Sequence, residues 1–377
     1  MHYLDHAATA PVSEAVAEAV RQELTAGWAN PSSQYGPGRA AAERVERCRA
    51  TVAKALGAKP GQLIFTSCGT EGDNWAIRAA LHQNRRVGKH IITTAIEHSA
   101  VRMLCRELQQ QGYEVTFLAP NAEGVVTAAQ VGEVLREDTA LVSMMLVNNE
   151  LGTVQPVGEV AALLKARRHP ALLHTDAVQA FLEIPFRADE LGADFIALSA
   201  HKIGAPKGIG ALYLGPRVKN PQPLLFGGGQ EKDLRPGTEA TAQIAGFAAA
   251  VELRTAALER DLLHMHAIKG YAMERLAAME GVELLPTGET PHILPFSLVG
   301  YPSGNVVTDL SEKGICISAG SACHQGKASH VIEALRLPKK VAAGALRISF
   351  GPETTVADID ALLAALEEHR KSRFPML

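Results

Sequence analysis

Cysteine is scarce in this 377-residue chain, with five in all and no Cys-x-x-Cys pair. Cys48, Cys68, Cys105, Cys316 and Cys323 are odd in number and scattered, so neither a disulfide framework nor a structural zinc site is indicated. No metal is expected, and at least one cysteine is a candidate working thiol. Runs of Lys or Arg are also missing and the formal net charge is only −3, which argues against nucleic acid or an anionic membrane surface as the main partner. No uninterrupted apolar run approaches the ~18 residues of a membrane span. Residues 1–6 lack the charged and apolar regions of a signal peptide, so a cytoplasmic protein without a membrane partner is expected. Internal repeats and low-complexity segments are absent too.

What the chain has is the composition of a globular enzyme, 47% hydrophobic and 20% charged, at a length that exceeds what one core usually supports. Ser13 is a plausible cap for a first helix over 13–25, and a second helix is expected over about 38–56. From residue 63 strands and helices alternate: strands at 63–66, 90–94, 114–118, 140–147, 172–175, 195–198 and 211–214, with helices at 71–81, 99–111 and 156–168 between them. This spacing predicts an α/β fold with a mostly parallel seven-stranded sheet, whose ligands sit outside the carboxyl ends of the strands. After residue 240 the pattern becomes a long helical stretch followed by short strands and helices. We therefore expect a large domain over 14–256 and a smaller α+β domain over 257–377, joined by the N-terminal arm 1–13.

Two strand ends carry the candidate chemistry. Lys202 follows the apolar strand 194–198 and precedes a Gly/Pro-rich turn, where a lysine is held at the mouth of a sheet and still reaches a ligand. Partial burial beside other cations raises its unprotonated fraction, the form that condenses with an aldehyde to a Schiff base. A surface lysine after a strand would look the same. Asp176, at the exit of the strand before, supplies what a lone lysine lacks, a carboxylate able to pair with a protonated ring nitrogen.

With Lys202 and Asp176 in this order and spacing, the chain resembles the class V aminotransferase family of fold-type I pyridoxal phosphate enzymes, and within it the cysteine desulfurases of the NifS and IscS kind. The resemblance spans nearly the whole chain and implies pyridoxal 5′-phosphate as cofactor. In Thr66 to Glu71 it assigns Gly69 and Thr70 to the phosphate, with Ser199 and His201 as further contacts near the lysine; Cys68 stands where relatives usually have glycine. A helix start is suited to a dianion. His98 matches the histidine that stacks on the ring and relays protons. Asn149 and Gln179 match residues that hydrogen-bond the phenolic oxygen, Asn149 also lying near the substrate. Thr238 closes a glycine-rich loop, 227–238, that in the family reaches a partner's phosphate, which implies a homodimer. Arg347 is a charged residue inside an apolar strand, costly unless paired. A structural salt bridge would satisfy it, and so would the substrate carboxylate that the family places there.

Cys323 lies in the small-residue loop Ser318 to Lys327, similar to the Ser-Gly-Ser-Ala-Cys loop of the desulfurases. A thiol on such a loop is rarely structural, and His324 or Lys327 could favour the thiolate. The resemblance implies conversion of L-cysteine to alanine with sulfur passed to Cys323 and then to an acceptor protein, for iron–sulfur cluster or other sulfur-containing biosynthesis. A selenocysteine lyase, or another class V lyase or aminotransferase in which Cys323 is incidental, is the alternative. Cys323→Ser is expected to keep the visible absorption of bound cofactor and to release no sulfide from L-cysteine. Mass spectrometry should find one added sulfur on the Cys323 peptide of the cysteine-treated wild type.

Overall fold

The computed structural model describes residues 1–319 and 329–375; Cys323, His324 and Lys327 lie outside them. Seven strands form the larger sheet in the spatial order Leu63–Thr66, Gly210–Leu214, Phe195–Ser199, Leu172–Asp176, Thr139–Ser143, His90–Thr94, Glu114–Leu118. Gly210–Leu214 runs opposite to the other six strands. Alternate residues of one strand serve different cores, because successive side chains point to opposite faces. Ile196 and Leu198 join one apolar cluster, Phe195 and Ala197 the other. Burial on both faces is why these strands read as continuous apolar runs in the sequence.

A second sheet of four antiparallel strands, in the order Ser318–Ala319, Ala345–Ser349, Ile293–Leu298, Val282–Leu284, packs around its own apolar cluster. The helix Thr241–Ala277 serves both halves of the molecule, with Ile244, Phe247 and Val251 in the larger core and Met265, Ile268 and Leu276 in the smaller. A domain boundary between residues 256 and 257 thus falls inside one continuous helix. The N-terminal arm lies along the edge of the smaller half. His2–Tyr3 pairs in parallel with Ile315–Cys316, Asp5 bridges to Ser349, and Ser349 N donates to Leu4 O at 2.8 Å.

One expected strand is shorter than its sequence suggests. Residues 140–147 are apolar at every position but Ser143, yet the strand is Thr139–Ser143. Beyond it the backbone turns across the sheet end: Leu146 N donates to Asp176 O, Gln155 N returns to Leu146 O, and Val147 bridges Val154 in antiparallel fashion. Met144 to Val147 are apolar because they are buried over the sheet, not because they extend it.

The glycine-rich loop 227–238 is pinned by a buried ion pair. Glu231, 6% exposed, receives Arg49 Nη1 at 2.7 Å and Nη2 at 2.8 Å, and also the backbone N–H of Phe65 at 2.9 Å. Arg49 stacks over the Phe65 ring, 4.8 Å from its centroid. Removing the anion strands a buried guanidinium, so Glu231→Ala is expected to cost about 3 kcal/mol or more of stability, read from denaturant unfolding.

Candidate active site

The cleft opens where the larger sheet's carboxyl edge meets the smaller half, with a volume of ≈ 220 Å³. Its wall brings together Gly69, Thr70, His98, Asn149, Asp176, Gln179, Ser199, His201, Lys202 and Arg347. Thr238 is exposed and stands apart from this wall.

Each side chain is placed by a local feature of the chain. The helix Gly69–Gln83 begins two residues before the sequence pattern suggested, so Gly69 and Thr70 form its first turn and their N–H groups have no partner within the helix. A Cβ on Gly69 would lie 2.6 Å from Val178 Cγ2, so only glycine lets this helix start seat against the Asp176 loop. Cys68 is the residue just before the helix, in extended conformation. His98 caps the helix Ser99–Gln110, its Nδ1 accepting the Ala100 N–H at 3.2 Å. That bond requires a lone pair on Nδ1, which puts the proton of the neutral ring on Nε2. Asn149 is presented by a turn that Asn148 builds: Asn148 Oδ1 accepts the N–H groups of Glu150 and Leu151, both at 2.9 Å, while its Nδ2 donates to Ile96 O.

The electrostatics follow from burial. Lys202 Nζ donates to the carbonyls of Ala7 at 2.7 Å and Ala8 at 2.9 Å, and its pKa is pushed down to about 8, first by desolvation and then by Arg347. His201 is pushed down to about 4, again chiefly by burial, and its Nδ1 lies 3.1 Å from Thr9 Oγ1. Asp176 is 5% exposed, accepts the Val178 N–H at 2.9 Å on Oδ1, and has no cation within 4 Å among the described residues. Burial raises its carboxyl above the ordinary range. Arg347 donates through Nη1 to Asn149 O at 2.6 Å and through Nη2 to Asp5 Oδ1 at 2.8 Å. The structural salt bridge considered for Arg347 therefore exists.

Sequence reasoning missed two residues here. Asp73, one turn along the helix from Gly69, is 1% exposed and lines the cleft within 4.8 Å of His98 and Asp176. Its Oδ1 faces His174 Nε2 at 3.3 Å, and neither atom has a hydrogen-bond partner among the described residues. Burial pushes the Asp73 carboxyl well above the ordinary carboxylate range and the His174 imidazole down to about 3, so each is biased toward its uncharged form. The helical spacing of Asp73 from Thr70 was the available signal. Asp5 gave none, because its partner Arg347 is 342 residues away.

The donor set fits a cofactor with an anionic end, an aldehyde and a basic ring nitrogen. A helix start with free N–H groups, an amine of lowered pKa and a buried carboxylate without a cation occupy one cleft. Fold and site together define a fold-type I pyridoxal phosphate-dependent transferase. The chain belongs to the class V aminotransferases: the family model "Aminotransferase class-V" matches residues 2–362. It is 38% identical over 370 residues to the cysteine desulfurase IscS of Methanosarcina thermophila, covering 97% of this chain and 91% of that one. A solved NifS-like protein superposes with a TM-score of 0.92 at 34% identity, covering 98% of this chain and 99% of that one. A structure titled SspA in complex with cysteine superposes at 0.81 with 32% identity, over 94% and 100% of the two chains.

Behind the cleft, Glu97 accepts the Thr94 hydroxyl at 2.7 Å and the Met145 N–H at 3.0 Å on Oε1. Full burial pushes it up to about 8 from 4.5. The folded chain therefore keeps a proton that the unfolded chain sheds. The stability this group contributes is whole below pH 4.5 and lost as pH rises through about 8. Glu97→Gln keeps the accepting oxygen and cannot ionise. The variant is expected to gain stability relative to wild type between pH 5 and 8, with the gap measured by thermal unfolding at each pH.

Proposed function

We propose that this protein is a cysteine desulfurase: it takes the sulfur of L-cysteine, leaves L-alanine, and passes the sulfur through a cysteine of its own to an acceptor. The observation that carries this reading is the convergence of Lys202, Asp176, His98 and Arg347 on one cleft, in a chain whose full-length relatives bear that name. Pyridoxal 5′-phosphate, when bound, supplies an aldehyde for amines and a sink for the electrons left on the substrate carbon.

Gly69, Thr70, Ser199 and His201 would hold the phosphate, with the partner subunit's Thr238 completing that end in a homodimer. Asp176 would keep a proton on the ring nitrogen, as a buried carboxylate without another cation is suited to do. Gln179 and Asn149 would bind the phenolic oxygen, and His98 would lie against the ring. Lys202, with a pKa near 8, has a usable free-amine fraction at neutral pH and so serves both as the cofactor's amine partner and as the base at the substrate's α-carbon. His98, with the proton of its neutral ring on Nε2, would relay protons during the reaction. Arg347 binds the α-carboxylate. The thiolate of Cys323 would attack the substrate sulfur; the new S–S bond forms as the bond from sulfur to the β-carbon breaks, and that electron pair is protonated at carbon on the way to alanine. Among the described residues no helix is long and apolar enough to cross a membrane, and we place the enzyme in the cytoplasm, with its acceptor a sulfur-carrying or scaffold protein.

Incubation of the purified protein with L-cysteine and a reductant should yield alanine and sulfide in equal amounts; alanine without sulfide, or neither, would end this reading. Lys202→Ala is expected to lose the visible absorption of lysine-bound cofactor and at least about 10³-fold in alanine formation while remaining folded. An unchanged spectrum would count against Lys202.

A further inference from the structure

The N-terminal arm reaches deep into the cleft. Lys202 Nζ and Gln179 Nε2 both donate to Ala7 O, and Asp5 Oδ1 receives Arg347 Nη2 at 2.8 Å. Ser318 Oγ joins the same oxygen, donating to Asp5 Oδ1 at 2.9 Å and accepting from Arg347 Nη2 at 3.2 Å. Asp5 is itself held on both sides, its backbone bridged to Ser349 and its carbonyl accepting the Tyr3 hydroxyl at 3.2 Å.

A guanidinium has five N–H groups in a planar fork. In Arg347, Nη1 gives one to Asn149 O, Nη2 is engaged by Asp5 and Ser318, and Nε has no partner among the described residues. The side chain is 10% exposed and borders the cleft. Asn149 O is neutral, so Asp5 is the one carboxylate within 4 Å of this cation among the described residues. A long side chain with four torsions needs two anchors to aim its fork, and the bond to Asp5, in which the acceptor is charged as well as the donor, is the stronger of the two here.

We propose that Asp5 is a positioning residue for substrate binding: by fixing Nη2 of Arg347 it aims the unengaged N–H groups at the α-carboxylate of an amino acid. The inference rests on Arg347 as the carboxylate-binding residue. Competition of Asp5 with the substrate for the guanidinium would use the same contacts and have the opposite sign.

The test uses holoenzyme, wild type and the variants Asp5→Ala and Asp5→Asn. Turnover of L-cysteine is measured, together with binding of L-alanine and of cysteamine, which is cysteine without its carboxylate, both followed by the cofactor's visible spectrum. With positioning, Asp5→Ala raises KM for cysteine by about 10- to 100-fold, the loss expected for a hydrogen bond to a charged group, while kcat changes by less than about 3-fold. L-alanine binding weakens by the same factor and cysteamine binding does not change. Asp5→Asn, which keeps an acceptor for Nη2, recovers most of the affinity. Tighter binding of L-cysteine or L-alanine in either variant would mean competition, and an equal loss for cysteamine would mean a merely structural role; both overturn the proposal. If wild type forms no alanine from cysteine, the desulfurase reading fails, yet the comparison of L-alanine with cysteamine still decides the role of Asp5. Should Asp5→Ala not fold, Asp5→Asn decides it alone through the same ratio, expected to shift by about 3-fold and overturned by no shift.

Discussion

The site depends on one constraint: an amine must be dry enough to shed its proton and still be held in place. Lys202 meets both demands through backbone carbonyls, those of Ala7 and Ala8, which orient the nitrogen without adding a full negative charge beside it. A carboxylate in their place would hold the ammonium form and defeat the purpose. The anions of the cleft are engaged elsewhere, Asp5 by Arg347 and Asp176 by the Val178 N–H. Burial, and the nearby carboxyl of Asp176, raise the Asp73 carboxyl and so disfavour its charged form.

This arrangement explains why so much of the backbone near the site is shaped by single polar side chains. Asn148 and Glu97 are fully buried and touch no proposed substrate atom, yet each satisfies backbone N–H groups where the chain leaves the sheet. Buried donors without partners are costly. The loops over a sheet end have no ladder to satisfy them, and side-chain oxygens take over that task. Glu231 does the same for Phe65, in the strand that leads to the helix start at Gly69.

The larger sheet was legible in the sequence because its strands are buried on both faces and its turns are marked by small and polar residues. The length of Thr139–Ser143 was not, since apolar character reports burial and a loop packed over a sheet is as buried as a strand. Lys202, Asp176 and His98 were legible from their places at strand and helix ends together with the family pattern. Asp73 and Asp5 were not: an aspartate in a helix interior or in an arm reads as solvated, and what makes each matter is a neighbour brought near only by the fold. The role of the arm carbonyls was beyond any reading of residue types, because a carbonyl is the same at every position.

The helix Thr241–Ala277, 37 residues long, extends about 55 Å at 1.5 Å per residue. Because its two ends are cemented into different cores, it works as a stiff beam between the parts that carry Lys202 and Arg347. Swinging one part against the other would require bending that beam, whose middle stretch from 252 to 260 has no fully buried residue but is tied to the larger half by Arg254, which donates to Leu182 O and Glu183. The separation of Lys202 from Arg347 across the cleft is thus tied to the one element that both cores hold.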